Sequence, residues 1–485
     1  MKSSFLEIVC RKTKQWQVSK STRSVLVVGI AVSTVFAASV TMVSCKKQNE
    51  FLREVPNDAL VIPRSLGDLQ KLLQNDAIFN QTNPGIGQAS TDEFYVSDFD
   101  FIDNPGLDQN VYIWAKDIYP ATQRINDWNY PYAEIYNANV ILDALEVINI
   151  SPSDISQANA VKGSALFFRA LSHYNLLQHF AKQYDSATAQ TDLGVPLRLT
   201  ADLVKKSTRA TVQQCYDQVI NDLVEAIQLL PIEAVNIEMP SIFAAQALLA
   251  RVYLTMGRFD SAFVYANLVL AKKNSLFDYN NLLPDPTRLT SGSQFPLPEM
   301  LYLTTMVNYY FNFRTVAAVD SVLYNSYGSN DLRKTSFFYE SSDVPRFKGN
   351  YQLLKPGYLF DGVAIDELFL IRAEIYARRG DYSSAMNDLN TLLEKRWKAG
   401  TFVKFTAVDA DEALKLVLLE RKKELFFRGV RWTDLRRLNK DPRFAVTLTR
   451  KINGQVYTLP PNDPRYTFAI PDQEIQISGL EQNPR

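Results

Sequence analysis

Apolar residues recur three and four apart along Tyr132-Ala-Glu-Ile-Tyr-Asn-Ala-Asn-Val-Ile-Leu-Asp-Ala-Leu-Glu-Val-Ile148, along 161–180 and along 211–230. That spacing puts one apolar stripe on an amphipathic helix, so helices are predicted over all three segments. Thr211 followed three residues later by Gln214 has the form of a capping box at a helix start, and Pro231 marks a stop.

Two segments repeat. Ala250, Tyr253, Gly257, Phe259 and Ala262 recur as Ala373, Tyr376, Gly380, Tyr382 and Ala385, every pair offset by 123 residues. Small residues where paired helices cross, an aromatic spacer and Gly at the turn make the spacing of a tetratricopeptide unit, placed at about 243–276 and 366–399. A third unit is split: Tyr216, Val219, Leu223, Ala226 and Pro231 fit its second helix, and 161–180 supplies its first. A fourth is reduced to one long helix predicted near 411–438. The predicted fold is therefore mostly α, a tetratricopeptide-like helix-pair array.

Two stretches depart from that pattern. Residues 275–365 carry Pro284, Pro286, Pro296 and Pro298 and the aromatic patches Tyr309-Tyr310-Phe311 and Phe337-Phe338-Tyr339. Residues 80–115 carry the turn signals Asn83-Pro84-Gly85 and Asn104-Pro105-Gly106. Irregular, aromatic-rich loop regions of this length are usually functional or mobile.

The N-terminus has a different character. Residues 1–44 hold six basic residues against one acid, Glu7, and the remaining 46 basic and 51 acidic residues leave the body at a net charge of −5. A mildly acidic body without a basic block is a poor nucleic-acid binder. The basic leader runs into Val25-Leu-Val-Val-Gly-Ile-Ala-Val32 and ends at Met42-Val43-Ser44-Cys45, the parts of a secretory signal. A retained membrane span over 24–43 is the other reading; small Ser44 before a cysteine favours removal of 1–44 as a lipoprotein signal, with Cys45 as the lipidated residue. Of three cysteines this leaves Cys215 alone in the body, with neither a disulfide framework nor a thiolate metal cluster.

Motif order then carries a resemblance. The signal with Cys45 is followed by Ile135-Tyr-Asn-Ala-Asn-Val-Ile-Leu142, Gly163-Ser-Ala-Leu-Phe-Phe-Arg-Ala170, Asp192-Leu-Gly-Val-Pro-Leu197 and Ile371-Arg-Ala-Glu-Ile-Tyr-Ala377. Next come Glu420-Arg-Lys-Lys-Glu-Leu-Phe-Phe-Arg-Gly-Val-Arg-Trp-Thr-Asp-Leu-Arg436, Ile470-Pro-Asp-Gln-Glu-Ile475 and Gln482-Asn-Pro484. Together they resemble the SusD/RagB family of nutrient-binding outer-membrane lipoproteins of Bacteroidetes. The resemblance implies a surface-exposed helical protein that captures oligosaccharides, or peptides in some branches, and closes as a lid over a TonB-dependent, SusC-like transporter. It divides the chain into the signal, a 45–240 region with the first helix pair and a ligand loop at 80–115, and a 241–485 region with further pairs and the 275–365 insert. Glu420 to Arg436, Arg169 and Trp432 are expected to be scaffold, with Arg–Glu pairs turned inward.

Catalytic signatures such as G-x-S-x-G, H-E-x-x-H and phosphate-binding glycine loops are missing from the sequence, and neither enzyme activity nor a cofactor is expected. The two histidines, His173 and His179, lie six apart and are expected to be structural. Asp98, Asp100 and Asp103 are grouped, but without the glycine of a calcium loop they are expected to be solvated turn acids. The positive signal is aromatic. A sugar presents a C–H face that packs on an aromatic plane and hydroxyls that need polar partners. Asp92, Tyr95, Phe99 and Phe101 in one loop, and Tyr309, Tyr310, Phe313 and Arg314 in the other, supply both. Those aromatics could equally pin the loops to the frame, and Asp-Phe-Asp-Phe also suits a half-buried strand. Trp114 and Trp128 are assigned to the core. A surface glycoside hydrolase or a helix-pair scaffold for protein partners are the rival functions.

Overall fold

In the computed structural model, which describes residues 63–120, 123–206, 208–282, 296–313, 315–349, 351 and 358–485, the periodic segments are helices. They are α1 Asn126–Leu145, α2 Ile155–Phe180 and α3 Val212–Leu229. From Val161 onward α2 is buried on nearly every side, its polar side chains Arg169, His173 and His179 included, because it packs against both α1 and α3. α3 starts with the predicted box: Gln214 N donates to Thr211 Oγ1 at 3.1 Å, and Thr211 N donates to Gln214 Oε1 at 2.9 Å.

The repeats are helix pairs α4 Ile242–Thr255 with α5 Phe259–Leu270, and α6 Ile365–Arg378 with α7 Tyr382–Glu394. Gly257 and Gly380 turn them with φ of +71° and +87°, where a Cβ would be strained. α5 packs on α6, and α6 on α7, which carries the array forward. The single helix expected over 411–438 is instead two, α8 Ala410–Glu424 and α9 Arg431–Leu438. Between them Phe427 and Gly429 take φ of +53° and +72°. The break lets Phe426 and Phe427 stack at 4.5 Å inside a second core, and a Cβ on Gly429 would overlap the Asp361 carboxylate.

The two irregular stretches meet in one sheet. β1 Phe94–Tyr95 comes from the first; β2 Ala318–Val319, β3 Phe338–Ser341 and β4 Val344–Phe347 come from the second. The order is β1-β2-β4-β3, antiparallel throughout, with Phe94 opposite Val319 and Tyr95 opposite Ala318. A hairpin of β5 Leu448–Ile452 and β6 Gln455–Leu459 lies beyond α9 in the chain. The main core draws on residues before and after 240, and residues 63–485 form a single compact unit.

Candidate ligand-binding face

Ser97 decides the local structure of the first aromatic loop. Its Oγ accepts Asp100 N at 3.0 Å, so Asp98–Asp103 is a short capped helix rather than the alternating strand. The helix turns Phe101 inward and leaves Phe99 and Ile102 at 74% and 59% exposure, with Tyr95 on β1 at 44%. Phe101 stacks on Phe311 with centroids 6.1 Å apart, and Tyr112 meets Phe311 edge-on at 5.4 Å. That aromatic joint fixes the short helix to the turn Tyr310–Asn312. Phe311 N donates to Asp108 Oδ1 at 3.4 Å; burial raises the Asp108 carboxyl above its usual range, and backbone donors from the turn offset part of that rise. Tyr310 packs edge-on against both Phe311 and Phe313. Asp98 Oδ1 accepts Asn453 N at 3.0 Å, which ties the helix to the tip of the β5–β6 hairpin.

Several of the expected ligand residues are engaged inside the frame instead. Tyr309 is buried, and its hydroxyl donates to Asp127 Oδ2 at 2.7 Å. Phe101 belongs to the second core. Asp92 takes two hydrogen bonds from Arg431, at 2.7 and 2.8 Å, and one from Lys422 at 2.8 Å. Burial alone would raise its carboxyl, but the two cations more than offset it and hold Asp92 well below the ordinary range. Tyr95, Phe99, Tyr310 and Phe313 remain on or near the surface, and the structure gathers the last two beside the Phe101–Phe311 joint. Arg314 and Cys45 lie outside the described residues.

Sequence reading missed the groups that hold this face. The Arg450 guanidinium sits 3.5 Å from the centre of the Tyr112 ring and 4.8 Å from that of Trp114. It donates to Thr91 O at 2.6 Å, and burial lowers it to about 10. A buried cation faced by rings in this way is a cation–π clamp that pins the hairpin to the first loop. Its partners are remote in sequence, so nothing local announces it. The Ser97–Asp100 cap, in contrast, could have been read.

The C-terminal motif is scaffold, as expected. Arg333 pairs with Asp331, Glu420 and Glu424; Arg396 pairs with Glu299 and Glu424; Arg421 pairs with Asp434. Arg169 holds Asp222 through two bonds at 2.8 and 2.7 Å, and Trp432 is fully buried. His173 and His179 bond to the backbone oxygens of Arg169 and Asn175 within α2, and burial keeps them neutral by lowering them to about 3 and about 4. Trp114 and Trp128 lie in the core.

What remains outward is a set of aromatic and apolar planes beside carboxylates, on a support locked by stacking and ion pairs. Such a face can cover the C–H side of a ring while nearby polar groups meet its hydroxyls.

A family model described as SusD-like, starch-binding and associating with the outer membrane matches residues 51–254, and a SusD family model matches residues 366–485. SusD-like protein P2 of Formosa agariphila is 26% identical over 373 residues, which cover 64% of this chain and 71% of that protein. A SusD superfamily protein of Bacteroides vulgatus superposes with a TM-score of 0.69 at 21% identity, over 87% of this chain and 99% of that one. A SusD-like carbohydrate binding protein of the same species gives 0.65 at 20% identity, over 86% and 97%. A SusD superfamily protein of Bacteroides thetaiotaomicron gives 0.67 at 21% identity, over 87% and 100%. At these identities the structural likeness establishes the fold.

Proposed function

The chain belongs to the SusD/RagB family, and from that premise we propose that it is a surface nutrient-binding lipoprotein, anchored to the outer membrane through Cys45. Its cargo is an oligosaccharide in the first place and a peptide in the second. It binds without turning its ligand over and hands it to a TonB-dependent, SusC-like transporter. The observation that carries this reading is the exposure of Tyr95 and Phe99 on an anchored loop, beside a turn whose Tyr310 and Phe313 are half-buried against the second core. Large apolar side chains kept in water by a rigid support fit a ligand surface better than a core.

Calorimetry of the mature chain against a panel of soluble glycans and peptides tests it. A glycan should bind without release of reducing ends. Phe99→Ala should weaken that binding at least about tenfold, since covering a large apolar side chain is worth about 1.5–3 kcal/mol, and should leave the melting temperature nearly unchanged. Turnover of the glycan would favour the hydrolase. Full affinity in Phe99→Ala, Tyr95→Ala and Tyr310→Ala would move the site elsewhere.

A further inference from the structure

A groove of about 470 Å³ runs along α1, between the 196–206 loop and the short helix Asp472–Ser478. None of its lining residues belongs to the aromatic face, and its volume is that of a small-molecule site. Its floor is aromatic because of spacing. Trp128, Tyr132 and Tyr136 stand four apart on α1 and so share one face. The first two rings lie 4.9 Å apart between centroids.

The loop beside that floor is braced so that its apolar side chains stay in water. Tyr132 Oη donates to Pro196 O at 3.0 Å, and Asn139 Nδ2 donates to Arg198 O at 3.0 Å and Thr200 O at 3.2 Å. These bonds strap the loop to α1. Arg198 folds back to donate to Lys205 O at 2.7 Å and to Asp202 O, and Asp202 Oδ1 accepts Val204 N at 2.8 Å. With the backbone turned this way, Leu203 is 71% and Val204 90% exposed; Ile477 on the short helix is 72% exposed. All three line the groove. Large aliphatic side chains held out together by a braced backbone mark an interaction site.

The polar groups decide what the site takes. The amide of Asn139 and the hydroxyl of Tyr132 are spent on the bracing, so a hydroxyl-rich ligand finds few partners here. Lys205 and Lys206 line the groove, exposed and without an acidic partner among the described residues. Glu474, on the short helix, is the one carboxylate among the lining residues, and like charge keeps an anionic head group away from it. Apolar walls, an aromatic floor and a pair of unmatched lysines complement an amphiphile with an alkyl chain and one negative charge. We propose that this groove binds a free amphiphile of the fatty-acid class, its chain laid among Tyr132, Tyr136, Leu203, Val204 and Ile477 and its carboxylate at Lys205 and Lys206.

The probes are octanoate, decanoate and laurate, titrated calorimetrically into the mature chain. A buried methylene is worth about fourfold in affinity, so each two-carbon step should tighten binding about tenfold. Leu203→Asn with Val204→Asn changes only exposed side chains; it should keep the melting temperature and weaken laurate at least about tenfold. Decyltrimethylammonium has the chain of decanoate and the opposite charge. It should bind at least about threefold more weakly than decanoate, the scale of exposed ion pairs, and Lys205→Glu with Lys206→Glu should reverse that order. Phe99→Ala should bind laurate like the parent, which separates this groove from the aromatic face. No gain with chain length, parental laurate affinity in the Leu203→Asn, Val204→Asn variant, a preference of the parent for the cation, or loss of laurate in Phe99→Ala would overturn the proposal. So would binding of phosphatidylglycerol vesicles in place of laurate, which would make the patch a membrane contact.

Discussion

At the scale of single residues, this protein keeps several ionisable groups neutral by burial. Glu134 on α1 accepts a hydrogen bond from Thr82 Oγ1 at 2.6 Å, with the Ser172 hydroxyl beside it, and faces no cation among the described residues. Burial pushes its carboxyl up to about 8 from an ordinary 4.5. The folded state therefore holds a proton that the unfolded chain releases above pH 4.5. The resulting stability is complete below that value and is lost as pH rises towards 8, at about 1.4 kcal/mol per pH unit. Glu134→Gln supplies a permanently neutral group of the same shape. Its stability relative to the parent should be near zero at pH 4.5, grow with pH, and level off above about 8. Urea unfolding across that range checks it; a difference independent of pH would show Glu134 to be ionised in the fold. His173 and His179 titrate with the opposite sign, since their lowered values cost stability as pH falls below 6.5, so the comparison with the variant isolates the carboxyl. None of this was legible in the sequence, because burial of Glu134 follows from the packing of α1 on α2 and not from its neighbours in the chain. Asp92 shows the same limit. Its position in an aromatic loop suggested a polar rim, whereas its partners Lys422 and Arg431 arrive from helices far along the chain.

At the scale of elements, the helix pairs were readable because a repeat states its geometry twice. Gly257 and Gly380 occupy equivalent turns with positive φ and have open space where a Cβ would stand. Substitution by Ala thus adds backbone strain alone, and each variant should lose about 1–2 kcal/mol in urea unfolding while retaining helical circular dichroism. Gly429 differs, since its Cβ would also overlap the Asp361 carboxylate; Gly429→Ala should lose more than either turn variant. A loss no larger than theirs would mean that Asp361 yields without cost. The break between α8 and α9 was not foreseen. Helical periodicity continues through Phe426 and Phe427, and only the second core, with which both rings are packed, explains why the backbone leaves the helix there. The four-stranded sheet was equally hidden. Its strands are two to four residues long, and β1 finds its partner in the other irregular stretch. Such short strands carry no period of their own. The short helix Asp98–Asp103 lies between these cases, since Ser97 three residues before Asp100 marks its start.

At the scale of the whole molecule, stiffness and attachment bear on what the proposed receptor can achieve. Buried arginines connect distant segments: Arg396 joins Glu299 to Glu424, Arg333 joins Asp331 to α8, and Arg251 on α4 joins α6 through Glu367. Breaking any of these pairs would leave an uncompensated buried charge, so the aromatic face should move with the helix array as one body. A body of that kind can close over a pore without losing its grip on cargo. Binding alone does not carry cargo inward, and a tether is useful where it confines receptor and transporter to one surface and so raises their effective concentration. The expected arrangement has the helix pairs docked on a SusC-like barrel and the 80–115 and 275–365 stretches turned towards its cavity. Outer membranes solubilised in mild detergent should then yield a roughly equimolar complex containing both proteins. Hydrogen-exchange protection in that complex should extend over the helix pairs. Cys45→Ala should remove the lipid and release the protein from the membrane fraction, with glycan affinity in solution unchanged, because the tether contributes proximity and no contact. A pull-down without a barrel, or exchange protection confined to the two irregular stretches, would rule out this docking.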